Sequence, residues 1–361
     1  MSKRRTAANG QVKSSRGTVT AERHILGGKK GVTATVSRIA LQLVDFSVVF
    51  SMVFGGCCSN VWTYERLLKL SPQIGSALTF AQMAFITLQG LPQFLIWQPT
   101  KSMAPTLRPR QVPLREWGTQ VVILTSGSLL NNWVYAFDVP IPVQIVFRSA
   151  VPIVSMIFGY LFLRKHYSFT QVVAVLLVVV GVVLATLSRS SPSNSGPPID
   201  STRYTIGILM LISSLFLSGF LGILQEQTYG KYGPCWREGV FYTHFLSLPA
   251  VLIFLPHVKK GFVDLHHASP SLQTSILILA ANLCTQLVCV SGVNQLTSRV
   301  SSVSTNLVLT TRKALSLCLS VWWFGNGWNM QLASGASLVL TGSLLYAFAG
   351  LRQIEAQKKQ E

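Results

Sequence analysis

Ten apolar stretches, each about as long as a bilayer core is thick, constrain this chain more than any other feature. A helix needs roughly 20 mostly apolar residues to cross a membrane. The candidates are 39–61, 76–98, 117–137, 140–163, 168–188, 204–225, 239–256, 271–293, 300–324 and 328–350. No charge occurs from Ala314 to Leu351, and Gly325, Asn326 and Gly327 supply the turn that divides this run into two antiparallel helices. Composition agrees: 49% of residues are apolar and 11% charged, where soluble domains carry roughly 25% charged residues. A disordered chain, a disulfide scaffold and an ordinary soluble enzyme are excluded. The expected fold class is an all-α integral membrane protein.

The net charge is +19. On a soluble protein that balance would point to nucleic acid. Here the bases lie outside the apolar runs, as the positive-inside rule expects, so no nucleic-acid partner is implied. With the N-terminus in the cytosol, 21 Lys and Arg fall on the cytosolic side and 6 on the other, with 3 inside spans. Without the N-terminal arm the ratio is 12 to 6, of the same sign. Both termini are therefore expected in the cytosol, with the chain multi-pass.

The implied organisation has five parts. Residues 1–38 form a basic, disordered cytosolic arm, solvated or drawn to anionic lipid. Residues 39–188 form a first set of five helices, 189–203 a flexible lumenal linker, 204–350 a second set of five, and 351–361 a cytosolic tail. No cleavable signal peptide is read, because the first apolar run starts late and is long. The tail ends Lys358-Lys359-Gln360-Glu361. This matches the K-K-x-x retrieval signal of the endoplasmic reticulum and implies a retrieval coat as partner.

The two halves echo each other. Aligning Phe169 with Met330 also aligns Gly181 with Gly342. Each copy carries a base within the preceding span, Arg148 in one and Arg312 with Lys313 in the other. Five crossings is an odd number, so the halves enter the membrane from opposite sides. The expectation is ten helices in two inverted five-helix repeats, with a site near the midplane between them.

Those three bases carry the functional argument. A base near a span centre costs about 2.5–3.5 kcal/mol on insertion scales. Only one acid, Asp45, lies deep in a span to offset them. Arg148 is 8 residues from Pro140, which puts it about 12 Å deep. The surplus points to a water-filled cavity that receives an anion. Small residues, Ser149 and Ala150 after Arg148 and Ala314 after Lys313, leave room beside it. Adjacent Arg312 and Lys313 point about 100° apart on a helix, so one can face the cavity while the other lies at its margin. Guanidinium grips phosphate oxygens bidentately and ammonium adds a point charge. A diphosphate fits this set.

Further polar side chains are concentrated in a few spans: Asn60, Gln82, Asn132, Tyr242, His244, Asn282 and Gln286 among them. Interhelical hydrogen bonding explains many of these singly; as a set they are candidates to read a base and a sugar. Cys57, Cys58, Cys284, Cys289 and Cys318 fall in apolar runs and read as small packing residues, with Cys235 outside them. No zinc-ligand spacing occurs, so neither a metal nor a cofactor is implied.

At these residues the chain resembles the nucleotide-sugar transporters of the drug/metabolite transporter superfamily. The nearest branch is that of the UDP-N-acetylglucosamine/UDP-xylose transporters of the endoplasmic reticulum and Golgi. The likeness spans about residues 40–350. It rests on FGGCCSNV (54–61), LTFAQMAFI (78–86), NNWVYAF…IPVQIVFRSA (131–150), REGVFYTHFLSLP (237–249), ANLCTQLVCVSGV (281–293) and NLVLTTRKALSL (306–317). It implies exchange of a cytosolic UDP-sugar, UDP-N-acetylglucosamine first, for lumenal UMP by alternating access. It also implies that Lys313 and Arg312, with Arg148 as the matching fourth-span base, contact the phosphates. The seventh-span motif linked to nucleotide recognition falls on Phe241, Tyr242 and His244, with Thr243 replacing an Asn. The sugar, UDP-xylose included, and the oligomeric state, a homodimer included, stay open.

Two other classes compete. A membrane glycosyltransferase would need acids or a metal site, and no D-x-D or H-x-x-x-H lies in or near a span. A small-metabolite exporter on the same fold remains an alternative, although the buried bases disfavour cationic cargo. No G-x-x-x-x-G-K-[ST] supports an ATP-driven pump.

Overall fold

Apolar runs fold as helices because lipid offers backbone groups no partner, so each must bond within its own segment. The computed structural model describes residues 44–71, 74–96, 106–134, 137, 139, 141–187, 201–267, 271–323 and 330–358, which are nearly all helical. The chain divides into two compact units, Met1–Phe50 and Ser51–Glu361. In the first, residues 44–50 are helical and Phe46 and Phe50 meet at 5.3 Å. The basic arm 1–38, most of the linker 189–203, the turn at Gly325–Gly327 and Lys359 lie outside the described residues.

The second unit begins with a π-helical turn, Met52–Gly56. The helices that follow are α1 (Cys57–Leu70), α2 (Gly75–Phe94), α3 (Leu114–Trp133), α4 (Ile141–Ser149), α5 (Val151–Leu163) and α6 (Phe169–Leu187). Then come α7 (Ser201–Tyr232), α8 (Trp236–Leu252), α9 (Leu255–His266), α10 (Leu272–Thr297), α11 (Ser302–Trp323) and α12 (Met330–Lys358). A two-residue antiparallel ladder, β1 (Leu95–Ile96) with β2 (Thr106–Leu107), is the one departure from an all-helical fold among the described residues.

Among the described residues, four helices are long and apolar enough to cross a membrane: Val44–Leu70, Ser201–Tyr232, Leu272–Thr297 and Met330–Gly350. Trp236–Leu252 with Leu255–His266 makes a fifth if that pair, bent by 94°, is one span. The protein is a multi-pass membrane protein. Two elements differ from the spans read in the sequence. The run 140–163 is two helices, α4 and α5, interrupted at Ala150. Residues 257–266, which lie between the spans 239–256 and 271–293, are helical too, in a helix whose first turn accommodates Pro256.

Small residues set the closest helix contacts, as expected where no hydrophobic force drives helices together. The backbones of α6 and α12 touch. A methyl group on Gly181 would lie 2.6 Å from the Gly335 carbonyl oxygen, and would also meet Leu338 and Val339. One on Gly342 would lie 2.7 Å from the Ala174 carbonyl oxygen, and would meet Leu177 and Val178.

The cysteine reading needs correction. Cys57 on α1 and Cys289 on α10 form a disulfide, with Cα atoms 4.6 Å apart and 232 positions between them. The cause is again small residues. Gly56 lies against Val288 and Cys289, and Gly292 against Met52 and Val53, so the two backbones approach closely enough for sulfur to bridge them. Spacing along the chain carries no trace of a pairing this distant.

Candidate functional site

The break between α4 and α5 starts with proline. Pro152 has no N–H to offer the carbonyl of Arg148, four residues earlier, and its ring crowds that carbonyl. The chain therefore stops at Ser149 and restarts at Val151, with the Ala150 carbonyl accepting from the Ile153 N–H at 3.0 Å. Arg148 occupies the last turn of a nine-residue helix. The new N-terminus of α5 beside it adds the positive end of a helix dipole.

Arg148 opens onto two adjoining cavities of about 250 and 240 Å³. Lys313 of α11 lines both, together with Val151, Ser218 and Leu221. The first extends to Gly127 and Ser128 of α3 and Ser214 of α7. The second extends past Gly222 and Gln225 of α7 to Ser302, Thr305, Asn306 and Thr310 of α11. Neither lining contains a carboxylate among the described residues. Arg148 and Arg312 both stand close enough to Lys313 for their charges to repel it. Arg312 lines neither cavity. Its side chain is half-buried and its Nε has no hydrogen-bond partner.

Two cations lining the same cavities, with hydroxyls, glycines and aliphatic side chains around them and no carboxylate among the described residues, are suited to an anion. The low dielectric strengthens the attraction, and water in the cavity lets the ligand leave.

Other residues singled out in the sequence lie elsewhere. Asn60, Gln82 and Asn282 bond to one another. Gln82 Nε2 donates to Asn282 Oδ1 at 2.7 Å, Asn282 Nδ2 to Thr63 Oγ1 at 3.0 Å, and Asn60 Nδ2 to the Asn282 carbonyl at 3.2 Å. This ties α1, α2 and α10 together. Asn282→Ala should lower the melting temperature by an amount worth about 1 kcal/mol and leave the substrate KM unchanged. A raised KM would put Asn282 in contact with substrate instead. Gln286 is half-buried on α10 and lines neither cavity. Asn132 falls in α3, its side chain outside the described residues.

Tyr242 and His244 are on α8, also outside both linings. Tyr242 is buried against Phe94 and Phe241, its hydroxyl without a partner, and Phe241 stacks on Phe94 at 4.6 Å. His244 Nδ1 donates to the Val240 carbonyl at 2.7 Å. Below this aromatic group the Glu238 carboxylate accepts from the backbone N–H groups of Gln111 and Val112, at 2.8 and 3.2 Å. In the turn before α8, burial and then the nearby Glu238 charge push the Cys235 thiol up to about 11, so it stays protonated at neutral pH.

Much of the cavity wall is formed by residues that the sequence alone does not single out. Ser302, Thr305, Asn306, Leu309, Thr310 and Lys313 form one stripe at helical spacing on α11. Ser214, Ser218, Gly222 and Gln225 do the same on α7. The periodicity of small polar residues was there to be read, but hydroxyls are common in apolar helices and stand out less than charges.

The model of the UAA transporter family matches residues 45–350. A UDP-N-acetylglucosamine transporter of Schizosaccharomyces pombe is 36% identical over 304 residues, covering 83% of this chain and 94% of that one. A UDP-xylose and UDP-N-acetylglucosamine transporter of Danio rerio is 33% identical, covering 82% and 92%. An endoplasmic reticulum GDP-fucose transporter of Drosophila melanogaster is 31% identical, covering 82% and 88%. A crystal structure 13% identical in sequence superposes with a TM-score of 0.62, over 86% of this chain and 99% of that one, and so shares the fold. Matched along nearly all of its membrane region and by relatives of similar length, this chain belongs to the UAA transporter family.

Proposed function

We propose that this protein is a nucleotide-sugar antiporter. It carries a UDP-sugar, UDP-N-acetylglucosamine first, from the cytosol into the lumen of the endoplasmic reticulum or Golgi, and returns UMP by alternating access. One observation carries the reading: Arg148 and Lys313, from different halves of the chain, line the same cavities beside a broken helix, with no carboxylate in the lining among the described residues. Arg312 adds a third positive charge at the margin. A diphosphate bears about two negative charges, which such a set binds without trapping. The names of the relatives support the uracil nucleotide and the N-acetylglucosamine. UDP-xylose is the second candidate, because the two sugars differ where single polar contacts decide.

The ten-helix, inverted-repeat architecture is part of the proposal, and the contacts of α6 with α12 support it. Sliding the numbering by the offset that aligns Phe169 with Met330 turns Gly335, Leu338 and Val339 into Ala174, Leu177 and Val178. These are the neighbours of Gly181 and Gly342 respectively. Such reciprocity is what a twofold relation between repeats produces. On this reading residues 39–188 and 204–350 are the repeats and 189–203 the lumenal linker. The arm 1–38 and tail 351–361 face the cytosol, where Lys358 and Lys359 are offered to a retrieval coat. A homodimer is compatible with it.

The test is exchange in liposomes loaded with UMP, following labelled UDP-N-acetylglucosamine, UDP-xylose and a GDP-sugar. Uptake that depends on internal UMP and is strongest with UDP-N-acetylglucosamine supports the proposal. No exchange with any nucleotide sugar overturns it.

A further inference from the structure

Consecutive residues on α7 face different spaces. Gln225 lines the inner cavity that holds Arg148 and Lys313. Glu226 lines a separate cavity of about 600 Å³, with Glu116, Gln227, Thr228, Lys231 and Tyr232. Beside both, the end of α7 meets the start of α11 at Gly222 and Ser302. Gly222 lets that contact close: a methyl there would overlap the Ser302 hydroxyl.

Glu226 is engaged on both its oxygens. Oε2 accepts the Ser302 N–H, the first of α11, at 2.9 Å, and Oε1 pairs with Lys165 Nζ. Its negative charge thus stands at the positive end of the helix that carries Lys313. Lys165 is aimed there by Arg164, which ends α5 in the left-handed region at φ 51°. Asn306 Nδ2 donates to Ser155 Oγ at 2.8 Å and ties α11 to α5 as well. The Lys165 side chain is 33% exposed and that of Glu226 18%. The pair is therefore partly open to water.

We infer that Glu226 is the bolt of a gate between the cationic cavity and the separate cavity that it lines: bonded to Lys165 and to the start of α11 it keeps the two apart, and its release opens the passage. Glu226 acts through α11 and touches no substrate, so it is a positioning residue. The inference deepens the antiport proposal by naming where the passage closes. It is tested without substrate, so the two fail separately.

Ser218 lines the inner cavity. The assay uses Ser218→Cys in a chain whose cysteines outside the disulfide are replaced by alanine. An anionic, membrane-impermeant thiosulfonate is applied to either face of sealed vesicles. Glu226→Gln removes the charge, the ion pair and most of the cap. Labelling from the face of the basic loops should rise by roughly tenfold, the worth of one charge-assisted hydrogen bond. Labelling from the other face should stay level or fall. Glu226→Asp, which keeps the charge, should return most of the protection, and Lys165→Met should resemble Glu226→Gln. Labelling unchanged in a variant with an unaltered melting temperature overturns the gate. Labelling that rises equally from both faces also overturns it, since that is loosening of the fold.

Discussion

Lys313→Ala should cut nucleotide-sugar uptake by about 10- to 100-fold, and Arg148→Ala by a similar factor, with expression and melting temperature near those of the parent. The size follows from losing one charge-assisted contact to a phosphate, about 1.5–3 kcal/mol. For Lys313 stability is spared, because it lines cavities that show no carboxylate among the described residues, and removing it from beside Arg148 and Arg312 relieves repulsion. Lys313→Arg keeps the charge and should retain more uptake than alanine. The measurement is initial uptake rate against substrate concentration in UMP-loaded liposomes. Normal transport by either alanine variant would remove that base from the site. Arg312→Ala should be milder, since Arg312 lines neither cavity.

Gly181→Val should have the largest effect on folding. The new side chain meets backbone, the Gly335 carbonyl oxygen at 2.6 Å from its Cβ, so no neighbour can swing aside. Overpacking of this kind costs about 3 kcal/mol or more, enough to lose most of the folded protein from detergent extracts. Gly118→Ala is the control, since nothing lies within 4 Å of its Cβ position. The inverted-repeat proposal adds a sharper expectation. Gly342→Val should be as damaging as Gly181→Val, because the same three neighbours surround it under the repeat. Size-exclusion profiles of fluorescently tagged variants read this out. A harmless Gly342→Val beside a damaging Gly181→Val would argue against equivalent repeats.

How much was legible beforehand varies from residue to residue. Lys313 and Arg148 could be found because a base inside an apolar run violates a strong rule, and strong rules are broken for function. The stripe of hydroxyls on α11 broke no rule and went unread. Asn60, Gln82 and Asn282 looked like ligand-reading groups on composition alone. Their neighbours across α1, α2 and α10 satisfy them instead, and no spacing within one helix reveals a partner on another. Cys57 and Cys289 were misread for the same reason.

A bilayer is a one-dimensional filter. It acts on how apolar each stretch is and on which side the bases fall, and both are written along the chain. The sequence alone therefore determined the membrane class and the cost of every cation placed within an apolar run. Side-by-side distances obey no such filter. They depend on where glycines let backbones meet and on where Pro152 interrupts a helix. Only the packed structure could decide that Arg148 and Lys313 line the same two cavities, that a sulfur bridge joins α1 to α10, and that Glu226 caps the start of α11.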